Sequence, residues 1–221
     1  MKVYLEDGAD NSAQTMFFNN KIEVTNYDKA DVVLFGGGAD VSPHLYGEYD
    51  SHLSWSDPLR DEHCEDLFHM AVRDGKFLSG ICRGAQFLNV MFHGTMVQDC
   101  RGHTTSHYCT WGDDEVWVTS THHQIIMPNL AHVKIEAVSR DKLCREYHLN
   151  SKHTLLRLTH GEVEAISADN MFATQFHPEY VGQSDPMQIK FIKELNERQS
   201  LWHQKLKQNQ TETMTNPYAN L

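Results

Sequence analysis

The 221-residue chain has no stretch approaching about 18 consecutive apolar residues, which excludes a conventional membrane-spanning helix. No two of its five cysteines stand in Cys-x-x-Cys spacing, so a zinc site built on cysteine is not expected. Basic residues are scarce. Nineteen Lys and Arg face 30 Asp and Glu, a formal charge of −11, which argues against a nucleic-acid backbone or an anionic membrane as the main partner. There is no Gly-Lys-Ser/Thr and no complete Gly-x-Gly-x-x-Gly, so phosphate binding at the glycine run is weakly supported. The opening residues, Met1 to Asp7, reach acids too early for a signal peptide. Together with the odd cysteine count, this predicts a cytoplasmic, reducing location and free thiols.

What is present suits one α/β domain. Hydrophobic residues make up 40% of the chain and mean hydropathy is −0.54, enough for a buried core in a soluble protein. Strands are expected at Lys2–Leu5, Ile22–Val24, Asp31–Phe35 and Phe77–Ile81, and later at 116–118, 133–138, 163–166 and 172–176. Asp31–Phe35 is a continuous apolar run that stops at Gly36-Gly37-Gly38, as a central parallel strand does. Helices are expected at Ser12–Phe18, Leu59–Asp74, 85–93 and Asp185–Gln199. In the second, Cys64, Leu67, Phe68, Ala71 and Val72 share one apolar face. In the last, Ile189, Ile192 and Leu195 do. Residues 36–58 read as loop. Residues 1–199 form a single domain, and 200–221 a polar, flexible tail.

One cysteine differs from the other four. Gly80-Ile81-Cys82-Arg83-Gly84 joins a strand to a helix, and small flanking residues permit the sharp turn of a nucleophile elbow. Cys82 also stands at a helix N-terminus, where the macrodipole and free amides favour a thiolate. The same features suit a buried cysteine ahead of a glycine turn. A thiolate attacking amides needs a base and a carboxylate to orient it. His177-Pro178-Glu179 offers both, directly after an apolar strand, where α/β active sites gather. The glycine run and the Arg83 amide are candidate donors for an oxyanion hole. The Arg83 side chain is expected to pair with a nearby acid.

Six segments, in order, resemble the class I glutamine amidotransferase-like superfamily, which uses a Cys-His-Glu triad. They are Gly37–Glu48, Asp57–Asp61, Gly80–Gln86, Gly94–Asp99, Ser120-Thr121-His122-His123-Gln124 and Gln175-Phe176-His177-Pro178-Glu179. The resemblance is greatest to the gamma-glutamyl-hydrolase and gamma-glutamyl-GABA hydrolase branch. It implies a flavodoxin-like three-layer sandwich with a mostly parallel central sheet. It also implies Cys82 as nucleophile, His177 as base and acid, and Glu179 as the group that orients it, with Gly38 and the Arg83 amide as oxyanion donors. Gly37, Gln86, Thr121, His122, His123 and Gln124 would face the substrate, and no cofactor is implied.

Three functions compete. The first is a glutaminase that forms a gamma-glutamyl thioester and passes ammonia to a separate synthetase or ligase. The second is a free-standing hydrolase of gamma-glutamyl amides or peptides, and the third a silent scaffold. His103, His107 and His122-His123 hint at a metal, but cysteine and carboxylate partners at ligand spacing are missing, so no metal is expected. Trp111 and Trp117 read as packing residues, Asp113–Glu115 as a solvated turn, and the segment between Cys100 and Cys109 as loop.

Overall fold

The computed structural model describes residues 1–49 and 52–215. Asp50 and Ser51 of the expected loop, and 216–221 of the expected tail, lie outside that range. The first strands are β1 (Lys2–Leu5), β2 (Glu23–Val24), β3 (Val32–Phe35) and β4 (Phe77–Ile81). After them come β5 (Thr95–Val97), β6 (Asp99–Cys100), β7 (His107–Trp111), β8 (Asp114–Val118) and β9 (Ile125–Met127). The chain closes with β10 (Lys134–Ser139), β11 (Tyr147–His148), β12 (Thr154–Leu155), β13 (Val163–Ala168) and β14 (Met171–Thr174). The helices are α1 (Asn11–Asn19), α2 (Pro58–Arg73), α3 (Arg83–Met91) and α4 (Pro186–Thr215).

The main sheet runs β2-β1-β3-β4-β14-β13-β10-β7-β8. The pairs from β2 to β14 are all parallel, and from β13 outward they are antiparallel. Parallel strands need helices on both faces, and the side chains divide accordingly. In β3, Val32 and Leu34 pack with Phe17 of α1 and Phe191 of α4, whereas Val33 and Phe35 pack with Leu67 of α2 and Phe87 of α3. This is the three-layer sandwich. A second, three-stranded sheet (β12-β11-β6) encloses its own small core around Cys100, Cys144 and Tyr147.

Local chemistry sets the helix ends. The Asp10 carboxylate caps α1 by accepting from the Ser12 and Ala13 amides. Asp57 caps α2, with Pro58 at its first position. Gly75, at φ 67°, turns the chain out of α2.

Several elements depart from the sequence expectation. The segment after Cys100 is not all loop: β7 pairs with β8 across a Gly112 turn, and its alternation of buried His107, Cys109 and Trp111 with exposed Tyr108 and Thr110 follows the pleat. The buried ridge of α4 is Met187, Phe191 and Leu195, spaced by four, which leaves Ile189 about half exposed. Val72 likewise lies outside the buried Cys64–Leu67–Ala71 ridge of α2.

The helix also continues past Ser200, where polar composition predicts fraying. Trp202 and Leu206 account for that. The Trp202 indole donates to the Gly75 carbonyl at 2.9 Å, and Leu206 packs beside Gly75. Lys205 pairs with Asp169. These two side chains dock a helix whose composition reads as tail. Trp202→Ala is therefore expected to lower the urea midpoint, with a loss of about 1–3 kcal/mol and an unchanged m-value, read by circular dichroism.

Candidate active site

The turn from β4 into α3 is built by two glycines. A Cβ on Gly84 would come within 2.0 Å of the Phe35 carbonyl oxygen, and one on Gly80 within 2.5 Å of the Gly84 backbone. With both absent, β3, β4 and α3 close together. Cys82 between them takes φ 53° and ψ −111°, a conformation that costs a non-glycine residue energy and persists only when its surroundings enforce it. Its amide donates to the Thr174 carbonyl at 2.8 Å. The thiol makes no capping bond to α3 and is left at the mouth of a cavity.

His177 arrives from the neighbouring parallel strand, three residues beyond the end of β14. Its amide donates to Thr119 Oγ1, and the Thr119 hydroxyl donates to its carbonyl, both at 3.0 Å. The ring is fixed on two further sides. Nδ1 lies 2.6 Å from Glu179 Oε1, and Tyr180 stacks on the ring with centroids 4.3 Å apart. Pro178 starts a short turn that brings Glu179 back under the ring. Nε2 is left for Cys82, and Gly37 fits against both side chains. Burial works against charge on the ring, but the Cys82 sulfur and the Glu179 carboxylate outweigh it and push the His177 pKa up to about 10.

The glycine loop is held by an ion pair that the sequence does not reveal. Arg60 from α2 meets Glu6 through Nε at 3.0 Å and a terminal nitrogen at 2.7 Å, a two-pronged pairing. The Arg60 guanidinium also donates to the carbonyls of Gly37 at 2.8 Å and Gly36 at 3.3 Å. In a trans peptide the carbonyl and the following N–H point in opposite directions. Anchoring the Gly37 carbonyl on Arg60 therefore turns the Gly38 N–H away from Arg60. Gly38 has φ 138°, and a Cβ there would strike Arg60 at 2.2 Å, so only glycine fits. The Arg83 amide is at the first position of α3, where the helix offers it no carbonyl. As expected from the sequence, the Arg83 side chain pairs with an acid: it is buried against Asp61 and donates to Cys64 Sγ at 3.1 Å.

These residues open on a cavity of about 480 Å³ lined by Gly38, Asp40, Trp55, Cys82, Gln86 and His177 together with Thr121, His122, His123 and Tyr180. A larger groove of about 600 Å³ lies elsewhere, beside Trp202, and holds none of them. Two of the residues that the resemblance implies would face the substrate are not among the lining. Gly37 sits behind His177 and Cys82, and the Gln124 amide is engaged by Ser54 Oγ at 2.9 Å and the Gln98 carbonyl at 3.2 Å.

His122 and His123 differ sharply. Burial, opposed by the Glu164 charge, holds His122 below the usual histidine range. His123 is bonded by Asp40 (3.3 Å) and Asp99 (3.1 Å). Chiefly through Asp40, and against partial burial, its pKa is raised to about 8.

Asp40, Trp55, Tyr180, Thr119 and the Glu6–Arg60 pair were not expected at the site. Asp40 and Arg60 do lie within two of the quoted segments, Gly37–Glu48 and Asp57–Asp61, which is the only trace of them in the sequence. The expectation that His103 lacks cysteine and carboxylate partners needs correction. Folding brings Cys100, Cys144, Glu162 and Glu164 to it from up to 61 residues away.

The Peptidase C26 family model matches residues 16–111. The "Putative glutamine amidotransferase-like protein YvdE" of Lactococcus lactis subsp. lactis is 32% identical over 171 residues, covering 70% of this chain and 68% of that protein. Among solved structures, the "putative gmp synthase subunit a protein" of Thermoplasma acidophilum superposes with a TM-score of 0.58 at 16% identity, over 95% of this chain and 98% of that one. A glutamine amidotransferase of Thermotoga maritima gives 0.55 at 12% identity, over 90% and 84%. At these identities the structural likeness speaks for the fold. No helix among the described residues is long and apolar enough to cross a membrane.

The imidazole predicts its own titration. Nitrogen-15 NMR should find His177 doubly protonated until about pH 10. In Cys82→Ala, which removes one of its two stabilising partners, the transition should move down. Because the folded value lies above the unfolded one of about 6.5, the associated stability is complete below that pH and is lost as pH rises towards 10.

Proposed function

The chain belongs to the class I glutamine amidotransferase-like superfamily, and on that premise we propose that it hydrolyses gamma-glutamyl amides through a thioester on Cys82. The observation that carries this reading is the elbow cysteine, strained and uncapped, beside an imidazole whose far nitrogen is held 2.6 Å from a buried carboxylate.

The reaction runs in two halves, acylation of Cys82 and hydrolysis of the thioester. With the proton already on His177, whose pKa of about 10 keeps it charged at neutral pH, the Cys82 Sγ attacks the gamma carbonyl of the substrate. The resulting oxyanion accepts hydrogen bonds from the Gly38 and Arg83 amides, whose value rests on their being oriented beforehand. His177 returns the proton to the departing amine, which leaves the glutamyl group on sulfur. It then takes a proton from water as the water attacks the thioester, and the thiol is restored as glutamate departs. Glu179 keeps the imidazole in one tautomer and stabilises its charged form, while stacked Tyr180 keeps it in plane.

The head of a gamma-glutamyl group is a zwitterion, and the cavity offers it matching groups. Asp40 suits the alpha-amino group. His123, charged at neutral pH, suits the alpha-carboxylate, with Gln86 and Thr121 available for hydrogen bonds. A cavity of about 480 Å³ leaves room beyond this head for a substituent on the amide nitrogen, near exposed Trp55 at the rim. That favours a free-standing amide or peptide hydrolase, close to the gamma-glutamyl-hydrolase branch. Glutamine as substrate, with ammonia supplied to a separate synthetase, remains the competing reading, because the Thermoplasma relative in fold is named as a subunit.

Amine and ammonia release from glutamine and a panel of gamma-glutamyl amides tests this. Turnover should vanish in Cys82→Ser and fall about a hundredfold or more in His177→Ala. Arg60→Met should lower kcat by about tenfold to a hundredfold with little change in KM, because it frees the loop that aims the Gly38 amide. KM should rise above about pH 8, since the His123 charge raised by Asp40 is present below that pH and lost above it. Glutamine as sole substrate would support the ammonia-supplying reading, and full activity in Cys82→Ser would overturn the thioester.

A further inference from the structure

Among the described residues, a compact set of metal-binding atoms outside the catalytic cavity lies under the small three-stranded sheet. Cys100, at the end of β6, Cys144, ahead of β11, and His103 each place a ligand atom within 4.8 Å of the others, and all three residues are buried. Tetrahedral zinc, with Zn–S of about 2.3 Å and Zn–N of about 2.0 Å, requires such atoms to lie about 3.5–4 Å apart. The three atoms lie within 4.8 Å of one another, so small side-chain shifts bring them to that spacing.

The imidazole is prepared as a ligand. His103 Nε2 lies 2.6 Å from Glu164 Oε1, which fixes the ring proton on that side. The other nitrogen, Nδ1, is turned inward, and the residue is fully buried. A histidine whose outer nitrogen is held by a carboxylate and whose inner nitrogen binds the ion is the usual supporting arrangement around a metal ligand. Nδ1 faces the cysteine side: it lies 3.1 Å from Glu162 Oε2, and the same carboxylate accepts from the Cys144 amide at 2.9 Å. Two thiolates neutralise a divalent cation, and the remaining charge on Glu162 is met by hydrogen bonds from the Leu143 and Cys144 amides and the Tyr147 hydroxyl.

We propose that Cys100, His103 and Cys144 bind one zinc ion, with Glu162 Oε2 nearest the fourth position. Glu164 then acts as the outer carboxylate and not as a ligand. The ion ties the Cys144 segment to the segment of Cys100 and His103, which hydrogen bonds already link to the rim of the catalytic cavity. The Ser120 hydroxyl donates to the His103 carbonyl, and the Cys100 amide donates to the His123 carbonyl at 2.7 Å. The site therefore braces residues 120–123 from behind.

The test is metal analysis of the full-length protein, expressed with zinc and purified without chelator. About one zinc per chain is expected in the wild type and in Cys82→Ser, which excludes the catalytic thiol as the ligand. The Cys100→Ser/Cys144→Ser pair should hold at least about tenfold less. Should that variant fail to fold, cobalt substitution of the wild type decides: a tetrahedral cobalt spectrum with thiolate-to-metal charge transfer supports the site. Metal-free wild type, zinc unchanged in the double variant, a cobalt spectrum without thiolate bands, or a Cys100–Cys144 disulfide in the mass spectrum would each overturn it.

Discussion

Backbone closure at Cys82 is the constraint on which the rest of the molecule turns. A cysteine at φ 53° is tolerated because β4, β3 and α3 approach so closely that only glycine fits at positions 80 and 84. The apolar layers on both faces of the parallel sheet hold that approach in place. Phe35 and Phe87 belong to one of them, and Phe172 and Phe191 to the other. Strain at Cys82 is thus maintained by the burial of surrounding side chains, the general arrangement by which folded proteins keep a residue in an unfavourable conformation.

Around that point, charge is arranged in opposed pairs. Glu179 faces His177, Glu6 faces Arg60, Asp61 faces Arg83, and Asp40 with Asp99 faces His123. Each pair does something different. The first sets a proton, the second orients a peptide, the third fastens the elbow to α2, and the fourth keeps a cation at the cavity wall. The chain is strongly acidic overall, yet the cavity is balanced, which suits a zwitterionic ligand. Net charge speaks only to polyanionic partners.

How much of this is legible in the sequence depends on separation along the chain. Cys82 is readable because its strand, glycines and helix are contiguous. His177 and Glu179 are readable because a single proline separates them at the end of an apolar strand. The three-layer fold follows from apolar runs such as Val32–Phe35, which are buried on both faces. By contrast, Glu6 and Arg60 stand 54 residues apart, and His103 meets Glu164 across 61. No local spacing announces such partners. Strand β7 is hidden because its buried positions are His107, Cys109 and Trp111, which do not look like an aliphatic alternation. The continuation of α4 rests on Trp202 and Leu206 in a polar stretch, where average composition outvotes two anchoring side chains.

On the proposed mechanism Cys82 takes the gamma-glutamyl group covalently. Acid quenching during turnover of a gamma-glutamyl amide, followed by peptide mass spectrometry, measures that directly. A thioester mechanism predicts a glutamyl adduct confined to the peptide bearing Cys82, with Cys64, Cys100, Cys109 and Cys144 unmodified. Turnover without any adduct on Cys82, or an adduct on another residue, would contradict it.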